Sequence, residues 1–223
     1  MTDNSANNKR IAINTILLYI RMLFTMVISL YTSRVILQVL GADDFGIYNV
    51  VGGVVVLFSF LTNAMTSSTQ RFLNYNFGLK NESKVSHIFN VSILTHFTIF
   101  LLVLLLSETV GLWFVMTQLN IPVGRETATM WVYQMSVVTT LIGIMVIPYR
   151  ASIIAAERMS IFAYVSILEV ALKLVVVLVL SYMSFDNLVM YSILLTLVAM
   201  LNFFIYQIEC RRKLSFTKFF PFG

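Results

Sequence analysis

Three charged side chains, Arg21, Glu169 and Lys173, lie inside long apolar segments of this sequence. Arg21 falls near the middle of an apolar run over residues 11–33. At about 1.5 Å per helical residue, that position is close to the centre of a ~30 Å hydrocarbon core. An arginine there costs about 2.5–3.5 kcal/mol on insertion scales, so by default it indicates a transport pathway or a binding site. Because a guanidinium is a planar, permanently charged partner for phosphate oxygens, an anionic ligand is favoured.

Polar residues share the helical face that carries Arg21. At 100° per residue, Asn14, Arg21, Thr25 and Thr32 lie within about 40° of one another. A helix surrounded by lipid has no use for such a stripe, so this face is predicted to turn toward protein or water. Two interpretations stay open: hydrogen bonds to neighbouring helices, or a water-accessible cavity that Arg21, Asn14 and Thr25 line.

Further candidates lie in the second and fifth apolar segments. Asn49 and Asn63 share one broad sector of the segment over residues 45–66 and are predicted to extend the cavity. Glu169 and Lys173 are spaced i, i+4 with the acid first, which is the favourable order for a helical ion pair. They form either a self-neutralised pair or an ion-coupling pair beside Arg21. If Glu169 instead pairs with Arg21, the case for an anionic ligand weakens.

The elements that must position these residues are membrane-spanning helices. The chain is 59% hydrophobic and 11% charged, with a mean hydropathy of +0.88, and lacks the period-2 alternation of a membrane β-barrel. We predict an all-α, polytopic bundle with six transmembrane helices. The predicted spans, each of the length that a membrane helix requires, are 11–33, 45–66, 88–106, 128–148, 161–183 and 187–207.

Charge placement predicts the orientation of these spans. With the N-terminus inside, inside segments carry 11 of the 15 basic residues, and outside segments carry only Arg34 and Arg125. The positive-inside rule therefore predicts that both termini are cytoplasmic. A net charge of +5 is explained by an anionic inner leaflet, so we expect no nucleic-acid partner. Longer loops are predicted over 67–87 and 107–127.

The residue inventory argues against an enzyme. Cys210 is the only cysteine, and His87 and His96 are the only histidines, so we expect no metal centre and no cofactor. No nucleophile elbow, phosphate-binding glycine loop or acid pair on a loop is visible. His96, inside the third span, is either a hydrogen-bonded packing residue or a proton relay.

The junction of the first two spans carries a recognisable pattern. Residues 32–48 read TSRVILQVLGADDFGIY: a Leu-Gly, three residues, an aromatic-Gly and a further aromatic. Gly52-Gly53 and then STQRF at 68–72 follow. This text resembles the multidrug/oligosaccharidyl-lipid/polysaccharide exporter superfamily, and most closely the O-antigen flippases. The resemblance covers the whole chain in layout and about residues 9–78 in motif.

The resemblance implies a transporter in the bacterial inner membrane. It would move undecaprenyl-pyrophosphate-linked oligosaccharide to the outer leaflet by alternating access, for export of O-antigen, capsule or exopolysaccharide. Arg21 would hold the diphosphate, while Asn14, Thr25, Asn49 and Asn63 would bind sugar hydroxyls or water. Two alternatives are a multidrug cation antiporter of the same superfamily and a non-transporting scaffold subunit, for which Arg21 would be buried against Glu169.

The domain organisation follows from the same resemblance. Members are similar to two six-helix lobes around a central cavity, and residues 1–208 supply one lobe. Residues 209–223 are then a basic amphipathic stub, expected to begin an interlobe linker. We expect an N-terminal fragment of a longer protein or, as the minor option, a six-helix chain that dimerises around an axis normal to the membrane.

Overall fold

A computed structural model describes residues 2–56, 59–79 and 82–217, with side chains over 12–55, 64–79, 83–214 and 216–217. Within these ranges every regular element is helical. The elements are α1 (Thr2–Val56), α2 (Ser59–Gly78), α3 (Glu82–Leu106), a π-helical turn (Ser107–Gly111), α4 (Leu112–Gln118), α5 (Glu126–Ala155), α6 (Met159–Leu180), α7 (Asn187–Lys213) and a 3₁₀ turn (Ser215–Thr217).

The longest helix, α1, is broken at Gly41. That residue has φ 79° and ψ 172°, a region that is almost restricted to glycine. Before the break, α1 lies alongside α6, where Arg21 contacts Ser166. After it, α1 lies alongside α5, where Asp44 pairs with Arg125 and Gly52 approaches Ser136. Each half of α1 runs in the same direction as the helix beside it, as the contacts between increasing residue numbers on both helices show. Because α5 and α6 are consecutive helices that run in opposite directions, the chain reverses direction at Gly41.

The centre of the bundle is α5, which packs against α1, α2, α3 and α7. Its buried side chains include Val132, Val137, Leu141 and Ile144, which join Val51 of α1 in one apolar core. A second core forms around Tyr149 near the end of α5, where Phe89 of α3 and Tyr206 of α7 contribute. These cores fix α5 as the axis about which the other helices are arranged.

The helices alternate between two ends of the bundle. We name the ends after the residues there: the Asp44 end holds Asp44, Arg125 and Asp186, and the Arg150 end holds Arg150 and the start of α6. Helix α5 begins at the Asp44 end, α6 begins at the Arg150 end, and α7 begins again at the Asp44 end. This up-and-down order is the arrangement expected of a membrane bundle with short connections.

Five described helical segments are long and apolar enough to cross a membrane: Ala12–Val55, Ser83–Gln118, Glu126–Ala155, Met159–Leu180 and Asn187–Lys213. The first of these contains the reversal at Gly41. Large apolar side chains of α1 face outward, among them Leu23, Val27 and Leu30, as lipid contact requires. The prediction of an all-α, multi-pass membrane protein is confirmed at this level.

The two longer loops are shorter than the sequence predicted. The prediction of a loop over 107–127 is wrong for its first half, because the helical path of α3 continues through the π-helical turn and α4 to Gln118. The prediction over 67–87 is wrong as well, since α2 extends to Gly78 and α3 starts at Glu82. Both helices continue because no proline interrupts them, and the buried Thr69, Asn76 and Ser107 are accommodated within the helical path.

The residues after α7 fold back onto the bundle. Helix α7 continues to Lys213 and thus includes the start of the predicted linker stub. Leu214 is buried, and the Phe216 ring contacts Phe77 and Phe89 edge-on, with ring centroids 5.2 and 6.3 Å apart. The last part of the stub, 218–223, lies outside the described residues.

Candidate functional site

Arg21 lies between α1 and α6, on the face of α1 that is turned toward protein. The guanidinium is centred 4.6 Å from the centroid of the Phe162 ring. Its Nη1 lies 3.5 Å from Ser166 Oγ, at the limit of a hydrogen bond. Cation–π contact and a weak hydroxyl contact hold the side chain in place without neutralising its charge. We call Arg21, Phe162 and Ser166 the Arg21 site.

The charge of Arg21 has no counter-ion among the described residues. The ion pairs in that part of the chain are Lys173 with Glu169, and Arg125 with Asp44 and Asp186. Arg21 Nε is buried and has no hydrogen-bond partner within the described part of the chain. A half-buried guanidinium that keeps unused donors has the capacity to bind an anion with several oxygens.

Glu169 pairs with Lys173, its neighbour one turn along α6. Lys173 Nζ donates to Glu169 Oε1 at 2.6 Å, and Asn202 Nδ2 from α7 donates to the other carboxylate oxygen at 2.8 Å. The Glu169 side chain remains 31% exposed and the Lys173 side chain 43% exposed, although both lie midway along an apolar helix. The carboxylate is therefore satisfied without Arg21. Because Glu169 does not neutralise Arg21, the interpretation of Arg21 as a site for an anionic ligand is not weakened.

The Tyr206 hydroxyl and the Arg150 guanidinium extend this polar region toward the Arg150 end. Tyr206 of α7 is buried close to Ser166 and within electrostatic reach of Arg21, Arg150 and Glu169. The region thus combines groups from α1, α5, α6 and α7. Its positive charges, Arg21, Arg150 and Lys173, outnumber the one carboxylate, Glu169, so the electrostatic preference is for an anion.

The structure brings some of the other predicted residues to the Arg21 face and leaves others away from it. Asn14 and Thr25 are half-buried on the same stripe, about 10 Å and 6 Å along the helix from Arg21. The Thr25 hydroxyl donates to its own helix, at Met22 O (3.0 Å). Asn49 is exposed, donates to Phe45 O at 2.7 Å, and lies about 18 Å from Arg21 along the bundle axis. The side chain of Asn63 lies outside the described residues.

A hydroxyl-lined cavity of about 120 Å³ lies between α1, α5 and α7. Tyr48 and Gly52 form one wall, and the Tyr48 ring meets Tyr191 edge-on at 4.8 Å. The polar lining comes from α5 and α7: Ser136, Thr139, Thr140 and Ser192. It has room for a few water molecules and carries no charged group, so it complements hydroxyls rather than ions.

An ionic cluster at the Asp44 end was not predicted from the sequence. Arg125, just before α5, bonds Asp44 of α1 through Nη2 and Asp186 of α7 through Nη1. Burial opposes the charge of Arg125, but hydrogen bonds and attraction from Asp186 and Asp44 outweigh it and raise the pKa of Arg125. Asp186 also caps α7 by accepting from the Leu188 and Val189 amides. The available signal was a set of three charges, each placed where a span begins.

A buried polar chain connects α2 and α3. Thr69 Oγ1 and Ser92 Oγ lie 3.2 Å apart, and Ser92 Oγ lies 3.3 Å from His96 Nδ1. His96 Nδ1 is 2.7 Å from the Ser92 carbonyl oxygen, so Nδ1 carries the proton and donates there. His96 is only 1% exposed, and its Nε2 has no partner among the side chains that the structure describes. We call Thr69, Ser92 and His96 the His96 chain.

Comparison with protein-family models, with curated proteins and with solved structures finds no match for this chain. Across the described residues, no three His, Cys, Asp or Glu side chains are grouped to hold a metal ion. The features of the molecule that bear on function are therefore the Arg21 site, the Glu169–Lys173 pair and the layout of the helices.

Proposed function

We propose that this chain is one lobe of a flippase that moves an undecaprenyl-pyrophosphate-linked oligosaccharide across the bacterial inner membrane. The observation that carries the proposal is Arg21: a guanidinium midway along a membrane helix, without a carboxylate partner in the described chain. A lipid diphosphate cannot cross hydrocarbon unaided, and its oxygens match the donors that Arg21 leaves unused. The pattern at residues 32–48 and 68–72 supports the same family.

The proposed topology has six spans with both termini in the cytoplasm. The reversal at Gly41 supports counting α1 as two spans, which adds a sixth to the five apolar helical segments. Basic residues favour the Arg150 end, which is then the cytoplasmic end, since α7 finishes there with Arg211, Arg212 and Lys213. The Asp44 end then faces the outside.

In the proposed mechanism, Arg21 binds the diphosphate while the prenyl tail stays in the bilayer. Ser166 and the half-buried Asn14 supply neutral hydrogen bonds beside the charge. Rocking against a second lobe, either a following C-terminal lobe or a second copy, exposes the site alternately to each side. The exposed pair Glu169–Lys173 is the candidate for ion coupling, because its charges lie beside the same polar region.

The pairing of Glu169 bears on the two alternative functions. A scaffold subunit would have neutralised Arg21 with Glu169, but Lys173 and Asn202 occupy that carboxylate. A cation antiporter would need an uncompensated acid beside its substrate, whereas the charge without a described counter-ion in this region is that of Arg21, which is positive. Both points favour the anionic lipid as substrate.

The direct test is binding of a prenyl diphosphate by the chain in lipid nanodiscs. Arg21→Ala should weaken binding by about 10- to 100-fold, the range for a charge-assisted hydrogen bond with a charged partner. Arg21→Lys should retain part of the affinity if charge alone matters, and little if bidentate geometry matters. Arg34→Ala, an exposed arginine on the same helix, is the matched control and should bind normally.

A cell-based measurement tests transport itself. In cells whose only copy of the full-length protein carries Arg21→Ala, surface polysaccharide should fall to a small fraction of that in cells with Arg34→Ala. Near-normal export with Arg21→Ala, at equal protein level in the membrane, would refute the proposal.

A further inference from the structure

His96 is the one titratable group in the middle of the α2–α3–α5 core. The sequence holds no other titratable residue between His87 and Glu108 on α3, between Tyr48 and Arg71 across α1 and α2, or between Tyr133 and Tyr149 on α5. The 3₁₀ turn at Ser215–Thr217, which also touches α3, contributes none. No charge therefore faces His96 from any element packed against α3.

The helix register sets an apolar stretch of α5 level with the imidazole. Phe89 meets Tyr149 near one end of α3, and the Tyr133 hydroxyl bonds Ser107 O near the other, so α3 and α5 run antiparallel. That register sets His96 level with residues 142–144 of α5, which are Ile, Gly and Ile. His96 Nε2, which carries the lone pair when Nδ1 donates to the Ser92 carbonyl, meets no donor from any described side chain.

A buried acceptor without a donor is costly, and native proteins rarely keep one. A hydrophobic side chain at this position would have avoided the cost. The Thr69 and Ser92 hydroxyls form a polar line from the Nδ1 edge of His96 toward the Arg150 end, where an open surface depression is lined by Ser68, Arg71 and Tyr75. The imidazole therefore has a polar contact between α2 and α3 on its Nδ1 edge and an unsatisfied basic nitrogen at Nε2.

We propose that His96 Nε2 is a proton-binding site, and that proton uptake there loosens the packing of α2 against α3. The proton comes from water that reaches the ring as α2 separates from α3 and adds to the Nε2 lone pair, so neutral imidazole becomes imidazolium with one added charge. In the packed state the new N–H has no acceptor and the new charge has no counter-ion, so the protonated form favours an arrangement that admits water. Proton uptake and the opening of α2 from α3 are then linked equilibria.

The site goes beyond the proposed function and does not depend on it. If the chain is a lobe of a transporter, His96 would make the coupling ion a proton and place its entry between α2 and α3. If it is not, the proton-dependent opening still holds. The test below measures protonation and helix opening on the purified chain, without any transport substrate, so its outcome is separable from that of the Arg21 binding assay.

The experiment uses the chain in lipid nanodiscs with histidines labelled by ¹³C and ¹⁵N. Only His87 and His96 give imidazole signals, and His87→Gln assigns them. Near pH 8 we expect His96 as the Nδ1–H tautomer, and by about pH 5 as imidazolium. Backbone hydrogen exchange over 64–79 and 83–106, corrected for intrinsic rates, should rise about tenfold or more across that range.

The matched variants separate His96 from general acid effects. His96→Gln should abolish the pH-dependent rise in exchange, whereas His87→Gln, an exposed histidine on the same helix, should preserve it. An imidazole at position 96 that stays neutral down to about pH 5 overturns the proposal, as does an equal rise in His96→Gln. If His96→Gln does not fold, the titration of the unmodified chain still decides, because it requires no substitution.

Discussion

Gly111 and Tyr133 give the sharpest stability prediction for this bundle. Gly111 lies in the π-helical turn, and a Cβ built there would be 2.3 Å from Tyr133 Oη and 3.4 Å from Cζ. The Tyr133 side chain is fully buried, and its hydroxyl donates to Ser107 O at 2.6 Å. Gly111→Ala therefore forces a methyl group against an oxygen that is held in place by a hydrogen bond.

The magnitude follows from three contributions. Overpacking of a closed site costs about 1–3 kcal/mol. Displacing the Tyr133 hydroxyl loses a hydrogen bond worth about 1 kcal/mol. Alanine returns up to about 1 kcal/mol through its better helix propensity. We expect Gly111→Ala to lower the free energy of unfolding by about 1–3 kcal/mol.

The partner substitution should relieve the clash. Tyr133→Phe removes the hydroxyl, so the nearest ring atom to an alanine Cβ is then at the edge of ordinary van der Waals contact, 3.4 Å away. On its own, Tyr133→Phe should lower the free energy of unfolding by about 1 kcal/mol. Ser107 O keeps a second partner, because the Leu112 amide also donates to it. The double variant should be no less stable than Tyr133→Phe alone, a coupling of about 1 kcal/mol or more.

The chain provides its own reporter for this measurement. Cys210 is the only cysteine, is fully buried, and bonds the Tyr149 carbonyl oxygen through Sγ at 3.3 Å. A brief pulse of a maleimide dye at increasing SDS in detergent micelles labels unfolded molecules only. Gly143→Ala, at an exposed α5 glycine with open space around it, is the control and should leave stability unchanged or slightly raised.

Two results would refute the reasoning. One is additivity: a double variant whose loss equals the sum of the two single losses means that the Gly111 methyl and the Tyr133 hydroxyl do not meet. The other is a Gly111→Ala curve that coincides with the Gly143→Ala curve. Either would mean that the π-helical turn is not fitted around Tyr133.

Two further predictions use the same Cys210 labelling assay. Gly41→Ala should lower the free energy of unfolding by about 1–3 kcal/mol through backbone strain at φ 79°, since nothing crowds the site; Gly46→Ala, equally uncrowded but helical, should be neutral. Arg125→Ala should lower the free energy of unfolding by about 1–2 kcal/mol, an intermediate value because the Arg125 side chain is a third exposed. This loss should shrink at high salt, and Arg34→Ala is the control. Equal unfolding curves for Gly41→Ala and Gly46→Ala would contradict the assigned backbone strain, and equal curves for Arg125→Ala and Arg34→Ala would contradict the stabilising role of the ionic cluster.

The features that local sequence determines were predictable. Apolar length determines which segments can cross a membrane, so the helices around 128–148 and 187–207 were found where expected. Helical periodicity placed Asn14, Arg21 and Thr25 on one stripe, and that stripe is the half-buried face of α1.

The features that depend on packing between helices were not predictable. The spacing of Glu169 and Lys173 indicated a pair but could not exclude Arg21 as the partner; Asn202 on α7 completes the site only through the packing of α6 against α7. The helix past Ser107 was missed because hydropathy treats polar residues there as the end of a span. The folded chain accommodates them in a turn that Tyr133 stabilises from another helix.

The Arg125 cluster also has a consequence for how the protein is made. Arg125 lies 81 residues after Asp44 and 61 residues before Asp186. At roughly 5–20 residues per second, synthesis separates Arg125 from Asp186 by about 3–12 s. During that interval the ribosome has delivered two of the three charges, and Arg125 can bond Asp44 alone. Completion of the cluster therefore reports that α7 has been inserted in the correct direction, since only then does Asp186 reach the same end as Arg125.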